Sequence, residues 1–289
     1  CTTPFLSFIT SKLHYTAGIM ITASHNSFEY NGLKVYDKRG VQLLPNMCHK
    51  IQEEMQQLTL SPLPSTDHIL DSSIKYLSPS FKELYFNKVT SLPLFKKGEK
   101  SLKVVYSNLH GTGITLAKKM LTLLGFPLTV VEEQSQLDPL FPTINAPNPE
   151  EKSAFNLGLD ALKKTKSDLL LVNDSDADRM GAALYHKRSP YFLNGNEIAS
   201  LLLDYILERR GKSVKKGVIL KSIVTTPLLN KMGKAYQCDT IDLLPGFKYI
   251  GDKMNTRSAL QEHTFLFGAE ESHGYLIDDY GSDKDGVSA

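Results

Sequence analysis

Residues 169–179 read LLLVNDSDADR, an apolar run followed directly by three aspartates at alternate positions and an arginine. The apolar run is rich in Leu and Val and ends in a polar loop, a pattern typical of a strand buried on both faces of a sheet. Open α/β sheets bind their ligands at the carboxyl ends of such strands. The stretch therefore predicts a buried strand that leads into an acidic loop at a ligand site.

The same pattern recurs on both sides of this stretch. Short apolar runs end in polar or glycine loops, and segments with the helical spacing of apolar residues lie between them. Alternation of strand and helix predicts the α/β class. The predicted strands are 18–22, 102–106, 169–172, 218–220 and 264–267, and the predicted helices are 47–58, 114–124, 150–163, 197–209 and 227–235.

Two segments look like joints between separate pieces. The first is the Pro- and Ser-rich stretch 61–80 with the Lys-Lys-Gly turn 96–98 after it, and the second is the Asn-Gly-Asn turn 194–196. Three pieces are therefore expected. Within the second piece, Asn148 can cap a helix and Pro149 suits a first helical position, so a helix is predicted to start near residue 150.

Composition excludes several classes of protein. A chain of 289 residues with 41% apolar residues can bury more than one core, and its net charge of +2, spread along the sequence, gives no basic stripe for nucleic acid and no polybasic membrane patch. No apolar run is long enough to cross a bilayer. Three scattered cysteines, Cys1, Cys48 and Cys238, favour a reducing compartment. We expect a cytoplasmic protein, a monomer or weak homodimer, whose partner is a small molecule.

A candidate nucleophile lies in residues 18–26, GIMITASHN, with NGLK following at 31–34. The predicted strand brings Ser24 to its carboxyl end. A serine needs a base to take its proton, and a phosphoserine needs cations or N–H groups to spread its charge, for which His25 and Lys34 are the nearest candidates. By itself the segment leaves open that Ser24 only caps a turn or helix.

The three aspartates of residues 174–179 can converge on one side of an extended loop. A bound cation is the simplest way to relieve their repulsion, and ligation by oxygen alone suits Mg²⁺. Arg179 would then be free to hold phosphate or substrate. An EF-hand loop is excluded because it needs Gly where Arg179 stands and Glu where Tyr185 stands. A solvated acidic turn is the remaining alternative.

A third candidate site is residues 267–275, FGAEESHGY, again after a short apolar strand. Adjacent carboxylate and hydroxyl groups can hydrogen-bond the vicinal hydroxyls of a sugar. Alternatively, Glu-Glu-Ser opens a helix and His273 is an ordinary surface histidine. Two glycine turns, HGTG at 110–113 and PGFK at 245–248, could offer N–H groups to phosphate, and Lys248 could neutralise it or be merely solvated.

In this order, the motifs resemble those of the α-D-phosphohexomutase superfamily, especially its phosphoglucomutase and phosphomannomutase branch, over nearly the whole chain. Residues 22–26 and 31–34 match its phosphoserine loop. Residues 174–179 match its metal loop, with Ser175 where Pro or Gly is familiar. Residues 270–272 are similar to its Gly-Glu-x-Ser sugar loop, with Ala269 inserted after Gly268. The turns at 110–113 and 245–248 and the Pro-Asn-Pro-Glu run at 147–150 are also similar to family landmarks.

The resemblance implies several consecutive α/β domains with mixed, mostly parallel sheets sandwiched by helices. Residues 1–97 would be the C-terminal part of a first domain and a linker, 98–193 a second domain with the metal loop, and 194–289 a third with the sugar-recognition loop. The family's fourth domain, which binds the substrate's non-reacting phosphate, is expected to be missing. The start at Cys1 and the loop-like residues 281–286 near the end also suggest a fragment, which we expect to turn over poorly.

The resemblance also implies an activity, the interconversion of sugar 1-phosphate and sugar 6-phosphate, with glucose and/or mannose as the sugar. The reaction would pass through phosphorylated Ser24 and a sugar 1,6-bisphosphate, intermediate and activator, with one Mg²⁺ per active site. His110 and Lys34 are the candidates for proton transfer. The implied catalytic residues are Ser24, Lys34, His110 and Arg179, the implied substrate-binding residues are His25, Asn26, Lys248, Glu270 and Ser272, and the implied metal ligands are Ser24, Asp174, Asp176 and Asp178.

Two other functions remain open from the sequence. A haloacid-dehalogenase-like phosphatase would use Asp174 as nucleophile with Asp176 two positions on, but it would want Thr or Val where Asp178 stands. It also leaves Ser24 and the glutamate loop unexplained. The second alternative is a catalytically silent module that binds a sugar phosphate or a metal.

Overall fold

The computed structural model describes residues 1–58, 74–92, 101–211, 214, 216–256 and 263–289. Over these residues the chain forms eight α-helices and eleven strands, and the strands make three sheets. The helices are α1 (Thr3–Lys12), α2 (Pro45–Gln57), α3 (Ser80–Thr90), α4 (Ile114–Leu123), α5 (Asn156–Thr165), α6 (Gly195–Ile206), α7 (Leu228–Ala235) and α8 (Phe247–Asn255). The strands are β1 (Ala17–Ile21), β2 (Leu33–Asp37), β3 (Val104–Ser107), β4 (Leu128–Val130), β5 (Leu169–Asn173), β6 (Met180–His186), β7 (Ser189–Leu193), β8 (Gly217–Ser222), β9 (Asp239–Leu243), β10 (Thr264–Glu270) and β11 (Gly274–Ile277).

The middle, five-stranded sheet has the order β4-β3-β5-β6-β7 and positions the acidic loop. β3 pairs in parallel with β4 and β5, and β6 and β7 follow as antiparallel strands. Val105 of β3 and Leu170 of β5 share a core with Leu162 of α5. Because the acidic loop connects β5 to β6, neighbouring strands of one sheet hold both of its ends.

The four-stranded sheet has the order β11-β10-β8-β9. β8 pairs in parallel on both sides, and β11 closes the sheet as an antiparallel edge. All six residues of β8 are buried, as expected for a central strand covered on both faces. The Glu-Glu-Ser loop follows at the carboxyl end of β10. The predicted α/β class with mixed sheets is thus confirmed.

The two-stranded sheet of β1 and β2 differs from the prediction, because β1 is not buried on both faces. Among the described residues it pairs only with β2, in antiparallel register, and its residues alternate between exposed and buried. Gly18 and Met20 are buried, with α1 among the neighbours of the strand, whereas Ile19 is 60% and Ile21 73% exposed. An apolar run alone does not reveal this, since Ile favours strands whichever way it faces.

The helix predicted from residue 150 begins later. Asn148 accepts the Glu150 N–H at 3.0 Å and closes a turn, a 3₁₀ segment follows at Lys152–Phe155, and only then does α5 start. Glu150 instead forms an ion pair with Arg179 at 2.8 Å, which holds it in the turn. Asn148 therefore makes the hydrogen bond expected of a capping residue, but the prediction that a helix starts there was wrong.

The two predicted joints fare differently. Residues 61–73 of the first and its turn 96–98 lie outside the described residues. At the second, Asn194 accepts the Glu197 N–H while the Glu197 carboxylate accepts the Asn194 N–H, a capping box that starts α6. β7 ends at Leu193, so this cap lies between the five-stranded and the four-stranded sheets.

One apolar core joins elements from the three predicted regions of the chain, residues 1–97, 98–193 and 194–289. The rings of Phe8 in α1 and Tyr85 in α3 pack edge to face, with centroids 5.6 Å apart. Leu116 of α4 and Val218 of β8 belong to the same buried cluster. The three regions are therefore held together by a common apolar core as well as by the chain itself. Within the described residues, no helix has both the length and the apolar character to span a membrane.

Candidate active site

Ser24 lies three residues beyond the end of β1, in a backbone conformation unusual for a side-chain-bearing residue. Its φ is 54°, in the left-handed region, and its N–H donates to Thr22 Oγ1 at 2.8 Å. The Ser24 hydroxyl donates to Asp174 Oδ2 at 3.3 Å, although the two residues are 150 positions apart in the sequence. The structure thus brings the candidate nucleophile to the acidic loop.

The acidic loop is buried rather than solvated. Asp174, Asp176 and Asp178 are all buried, and each offers a carboxylate oxygen to a group of atoms that lie within 4.8 Å of one another. Asp174 Oδ1 accepts the Arg179 N–H at 3.0 Å, and Asp176 Oδ2 accepts the hydroxyl of Thr3 at 2.6 Å. These contacts rule out the solvated turn.

The unused oxygens of this loop fit a hard cation. Asp176 Oδ1 and Asp178 Oδ1 are buried and have no hydrogen-bond partner in the part of the chain that the structure describes, which is costly unless something else satisfies them. Three carboxylates that converge through oxygen alone are a ligand set for Mg²⁺. The Oδ2 atoms of Asp176 and Asp178, however, each accept a hydrogen bond from Lys34 Nζ at 2.7 Å. An ammonium group therefore shares the carboxylates that a cation would use.

Charges from distant segments balance this buried cluster. Burial alone would lower the pKa of Lys34, but Asp178 and Asp176 outweigh it and raise that pKa above its usual range. Burial would raise the pKa of Asp178, but Lys284 and Lys34 lower it well below the usual range. For Asp174, burial and the charges of Asp178 and Asp176 raise the pKa. Lys34 is thus held protonated, while the pKa shift of Asp174 favours its protonated, neutral form.

His25 is the only predicted site residue of the described chain whose side chain is hydrogen-bonded to that of Ser24, apart from Asp174. Its Nδ1 lies 3.4 Å from Ser24 Oγ. Burial, assisted by the positive charges of Arg179 and Lys284, lowers the pKa of His25 to about 4. Its imidazole is therefore neutral at neutral pH. The next residue, Asn26, is exposed at the rim of the same loop.

His110 lies beside Ser24 without touching it. Both residues line one cavity of about 470 Å³. The ring of His110 is engaged elsewhere, with Nε2 2.9 Å from Thr143 Oγ1 and Nδ1 3.3 Å from the Gln136 carbonyl. The turn after it could have offered its N–H groups to phosphate, but those of Gly111 and Thr112 donate to backbone carbonyl groups instead.

Arg179 also differs from the prediction, since it is not free. Its Nη1 forms an ion pair with Glu150 at 2.8 Å, and its backbone bridges to Gly274. Its Nε is buried without a partner. The guanidinium therefore has one donor satisfied within the protein and another still to be matched.

The predicted sugar-recognition loop contacts the glycine turn at residues 245–248. Glu270, at the end of β10, accepts the Gly246 N–H at 2.6 Å, just before Lys248 in the first turn of α8. Ser272 is half-buried in the turn between β10 and β11. Glu271 points to a different network, accepting the hydroxyls of Ser222 and Thr225. Glu270, rather than Glu271, thus faces the glycine turn predicted for phosphate.

Comparison with known proteins identifies the family. Three family models, each described as a Phosphoglucomutase/phosphomannomutase alpha/beta/alpha domain, match residues 1–61 (domain I), 83–187 (domain II) and 194–289 (domain III). The chain belongs to the α-D-phosphohexomutase superfamily. This membership favours a phosphohexomutase-type site over a haloacid-dehalogenase-like phosphatase.

Named relatives agree with this family membership. A phosphoglucomutase of Staphylococcus saprophyticus is 35% identical over 99% of this chain and 52% of its own length, so the chain spans about half of that relative. A Thermus thermophilus protein assigned as a phosphomannomutase has a similar fold, with a TM-score of 0.79 and 24% identity over 100% of this chain and 61% of that chain. An Aspergillus fumigatus N-acetylphosphoglucosamine mutase, solved with GlcNAc-6P and magnesium, has a TM-score of 0.58 and 15% identity over 95% and 65% of the two chains.

One residue of the candidate site was missed from the sequence. Lys284 Nζ lies 3.6 Å from Asp178 Oδ1 and 3.9 Å from Glu270 Oε2, between the acidic loop and the sugar loop. Residues 281–286 read as an ordinary polar loop, yet Asp283 and Asp285 within them are buried. The one available signal was the alternation of Asp and Lys, which is too common on surfaces to single out a site.

Proposed function

We propose that this chain carries the phosphoryl-transfer site of a phosphohexomutase that interconverts sugar 1-phosphate and sugar 6-phosphate, with glucose and/or mannose as the sugar. The observation that carries the proposal is the contact of Ser24 Oγ with Asp174 Oδ2 at 3.3 Å, at a buried acidic loop. The chain spans about half the length of its curated relatives, so the activity of the whole protein is part of the proposal.

The reaction would pass through phosphorylated Ser24. The P–O bond to Ser24 Oγ breaks and a P–O bond to the free sugar hydroxyl forms, while the proton of that hydroxyl leaves and Ser24 gains one. The resulting bisphosphate then returns its other phosphate to Ser24: the P–O bond to that sugar oxygen breaks and the oxygen gains a proton, while Ser24 Oγ loses its proton and forms the new P–O bond. The net result is isomerisation of the sugar phosphate, because Ser24 gives one phosphate to the sugar and takes the other one from it.

The structure supports a different division of proton transfer from the one that the resemblance implied. Lys34 is held protonated by two carboxylates, so it suits charge stabilisation better than proton removal. His110 uses both ring nitrogens within its own region. The single proton of the Ser24 hydroxyl is donated to Asp174 Oδ2, and His25 Nδ1 lies 3.4 Å from the same oxygen, so we assign proton exchange at Ser24 Oγ to Asp174 and His25 together.

Asp174, Asp176 and Asp178, with an oxygen of the Ser24 phosphate, would hold one Mg²⁺ per site. When bound, the cation would neutralise charge that develops on the transferred phosphoryl group. The A. fumigatus neighbour was solved with magnesium, which supports this assignment, as do the two partnerless oxygens of the loop.

Substrate would be held between the acidic loop and the sugar loop. Glu270 keeps Oε2 free of the Gly246 N–H, and with Ser272 it would accept and donate hydrogen bonds to vicinal sugar hydroxyls. Lys248 and the partnerless Nε of Arg179 would bind phosphate, with Asn26 and His25 at the rim. A site of this kind tolerates several sugars, so we leave glucose and mannose together.

The test is mass spectrometry of the protein after incubation with Mg²⁺ and glucose 1,6-bisphosphate. We expect a phosphate on Ser24 that is lost when glucose 6-phosphate is added. Ser24→Ala should acquire none, whereas Ser27→Ala, in the same loop, should behave like the unsubstituted protein. A phosphate on Asp174 would overturn the proposal in favour of a phosphatase, and binding of the bisphosphate without any phosphorylation would favour a silent binding module.

A further inference from the structure

Ser175 makes a contact that the motif pattern did not predict. Its hydroxyl donates to the backbone carbonyl of Ser24 at 2.5 Å, across two loops that are 151 positions apart in the sequence. Ser175 stands where the resembling family usually has Pro or Gly, neither of which has a hydroxyl to donate. The acidic loop of this chain is therefore tied to the backbone of the candidate nucleophile as well as to its side chain.

The contact holds Ser24 in an unfavourable conformation. The left-handed φ of 54° crowds Cβ against the backbone, so the surrounding structure must maintain it. On one side the Ser24 N–H donates to Thr22 Oγ1, and on the other the Ser24 carbonyl accepts from Ser175. Rotation of this backbone would move Ser24 Oγ away from Asp174.

Ser175 is itself firmly placed. Its carbonyl accepts both the N–H of Thr112, at 2.7 Å, and the hydroxyl of Thr112, at 3.1 Å. Gly111 lies so close that a Cβ there would be 2.5 Å from the Ser175 carbonyl oxygen, so a side chain at Gly111 would displace the loop. The glycine turn 110–113 thus fixes Ser175, and Ser175 in turn fixes Ser24.

We propose that Ser175 is a positioning residue, which holds the Ser24 backbone in its left-handed conformation so that Ser24 Oγ faces Asp174. The role rests on the proposed phosphoryl transfer to Ser24. It does not involve contact with the sugar or with the phosphate. Loss of the Ser175 hydroxyl should therefore change the rate of transfer and leave substrate affinity unchanged.

Three variants test this role. Ser175→Ala removes the donor, Ser175→Thr retains it, and Ser153→Ala removes an exposed hydroxyl elsewhere in the same region as the control. We expect Ser175→Ala to slow phosphorylation of Ser24 by glucose 1,6-bisphosphate about tenfold, the usual worth of one hydrogen bond. Its half-saturating bisphosphate concentration and Mg²⁺ affinity should match those of the unsubstituted protein, and Ser175→Thr should recover most of the rate.

A second measurement needs no phosphorylation. The ¹³C shifts of labelled Ser24 report its backbone conformation and should move in Ser175→Ala but not in Ser153→Ala. Unchanged shifts, or a Ser175→Ala rate equal to the control, would overturn the role while leaving the proposed function intact. If the unsubstituted protein never acquires phosphate on Ser24, the proposed function itself fails, and only a shift change would preserve the backbone role.

Discussion

Lys34→Met tests how the buried acidic loop is neutralised. Lys34 donates to Asp176 and Asp178, each at 2.7 Å, and its side chain is only 16% exposed. Removing one partner of a buried ion pair leaves an uncompensated charge and costs about 3–5 kcal/mol. Since Lys284 lies 3.6 Å from Asp178 and neutralises part of the charge, we expect the lower end, about 3 kcal/mol.

Bound Mg²⁺ should reduce this loss, because the cation and the Lys34 ammonium share the same carboxylates. In the thermodynamic cycle, the stability lost without Mg²⁺ minus that lost with saturating Mg²⁺ equals the gain in Mg²⁺ binding free energy of the variant. If the cation recovers about half of the 3 kcal/mol, the dissociation constant for Mg²⁺ falls roughly tenfold. The variant is thus predicted to be less stable and to bind Mg²⁺ more tightly.

The assay combines thermal unfolding, in excess EDTA and in excess Mg²⁺, with calorimetric titration of Mg²⁺. Lys118→Met is the matched control, since it removes an exposed lysine from α4. The reasoning is refuted if Lys34→Met in EDTA is no less stable than the control. Mg²⁺ binding that is weaker than in the unsubstituted protein would refute it equally, because the ammonium would then assist the cation rather than compete with it.

Three further substitutions test contacts away from the acidic loop. Tyr280→Phe removes a hydroxyl that donates to buried Asp285 at 2.6 Å and should cost about 1.5–3 kcal/mol in urea unfolding. Burial already raises the pKa of Asp285, and loss of a donor raises it further. A raised pKa of an acid in the folded state makes stability fall as pH rises, so the loss should be larger at alkaline than at acidic pH, and equal losses would contradict this. Gly195→Ala would put a Cβ 1.7 Å from the Glu271 carbonyl oxygen and should lower the thermal midpoint strongly, so an unchanged midpoint would contradict the packing. Asn194→Ala removes the cap of α6 and should cost about 1 kcal/mol in urea unfolding, whereas Asn194→Asp should not.

Local patterns predicted four strands of the two larger sheets, β3, β5, β8 and β10, and missed the other five, β4, β6, β7, β9 and β11. The buried strands β3, β5 and β8 follow apolar runs that end in polar loops, and these signals are local. The prediction that β1 is buried on both faces was wrong for a related reason. A run of Ile and Met predicts a strand, but its exposed face depends on which elements pack against it, and those lie elsewhere in the chain.

Contacts between distant loops were beyond the reach of the sequence pattern. Nothing local to Arg179 indicates its ion pair with Glu150, and Lys284 lies in a stretch whose composition reads as surface loop. The carboxylate of buried Asp285 accepts hydrogen bonds from the hydroxyl groups of Tyr280 nearby and of Tyr85 in α3, 200 positions away in the sequence. The motifs therefore predicted which loops carry chemistry, but not which residues complete each one.

The arrangement of charges explains why the site depends on all three regions of the chain. The acidic loop belongs to the five-stranded sheet, while Lys34 comes from β2 and Lys284 follows β11. Because buried carboxylates are tolerated only when paired, each ammonium stabilises the loop and, by the same contact, holds its own region against the middle sheet. A cation that displaced Lys34 from the carboxylates would loosen the contact between the first region and the middle sheet. Cation binding and the packing of the Ser24 loop against the acidic loop should therefore be coupled, and the sign of that coupling is what Lys34→Met measures.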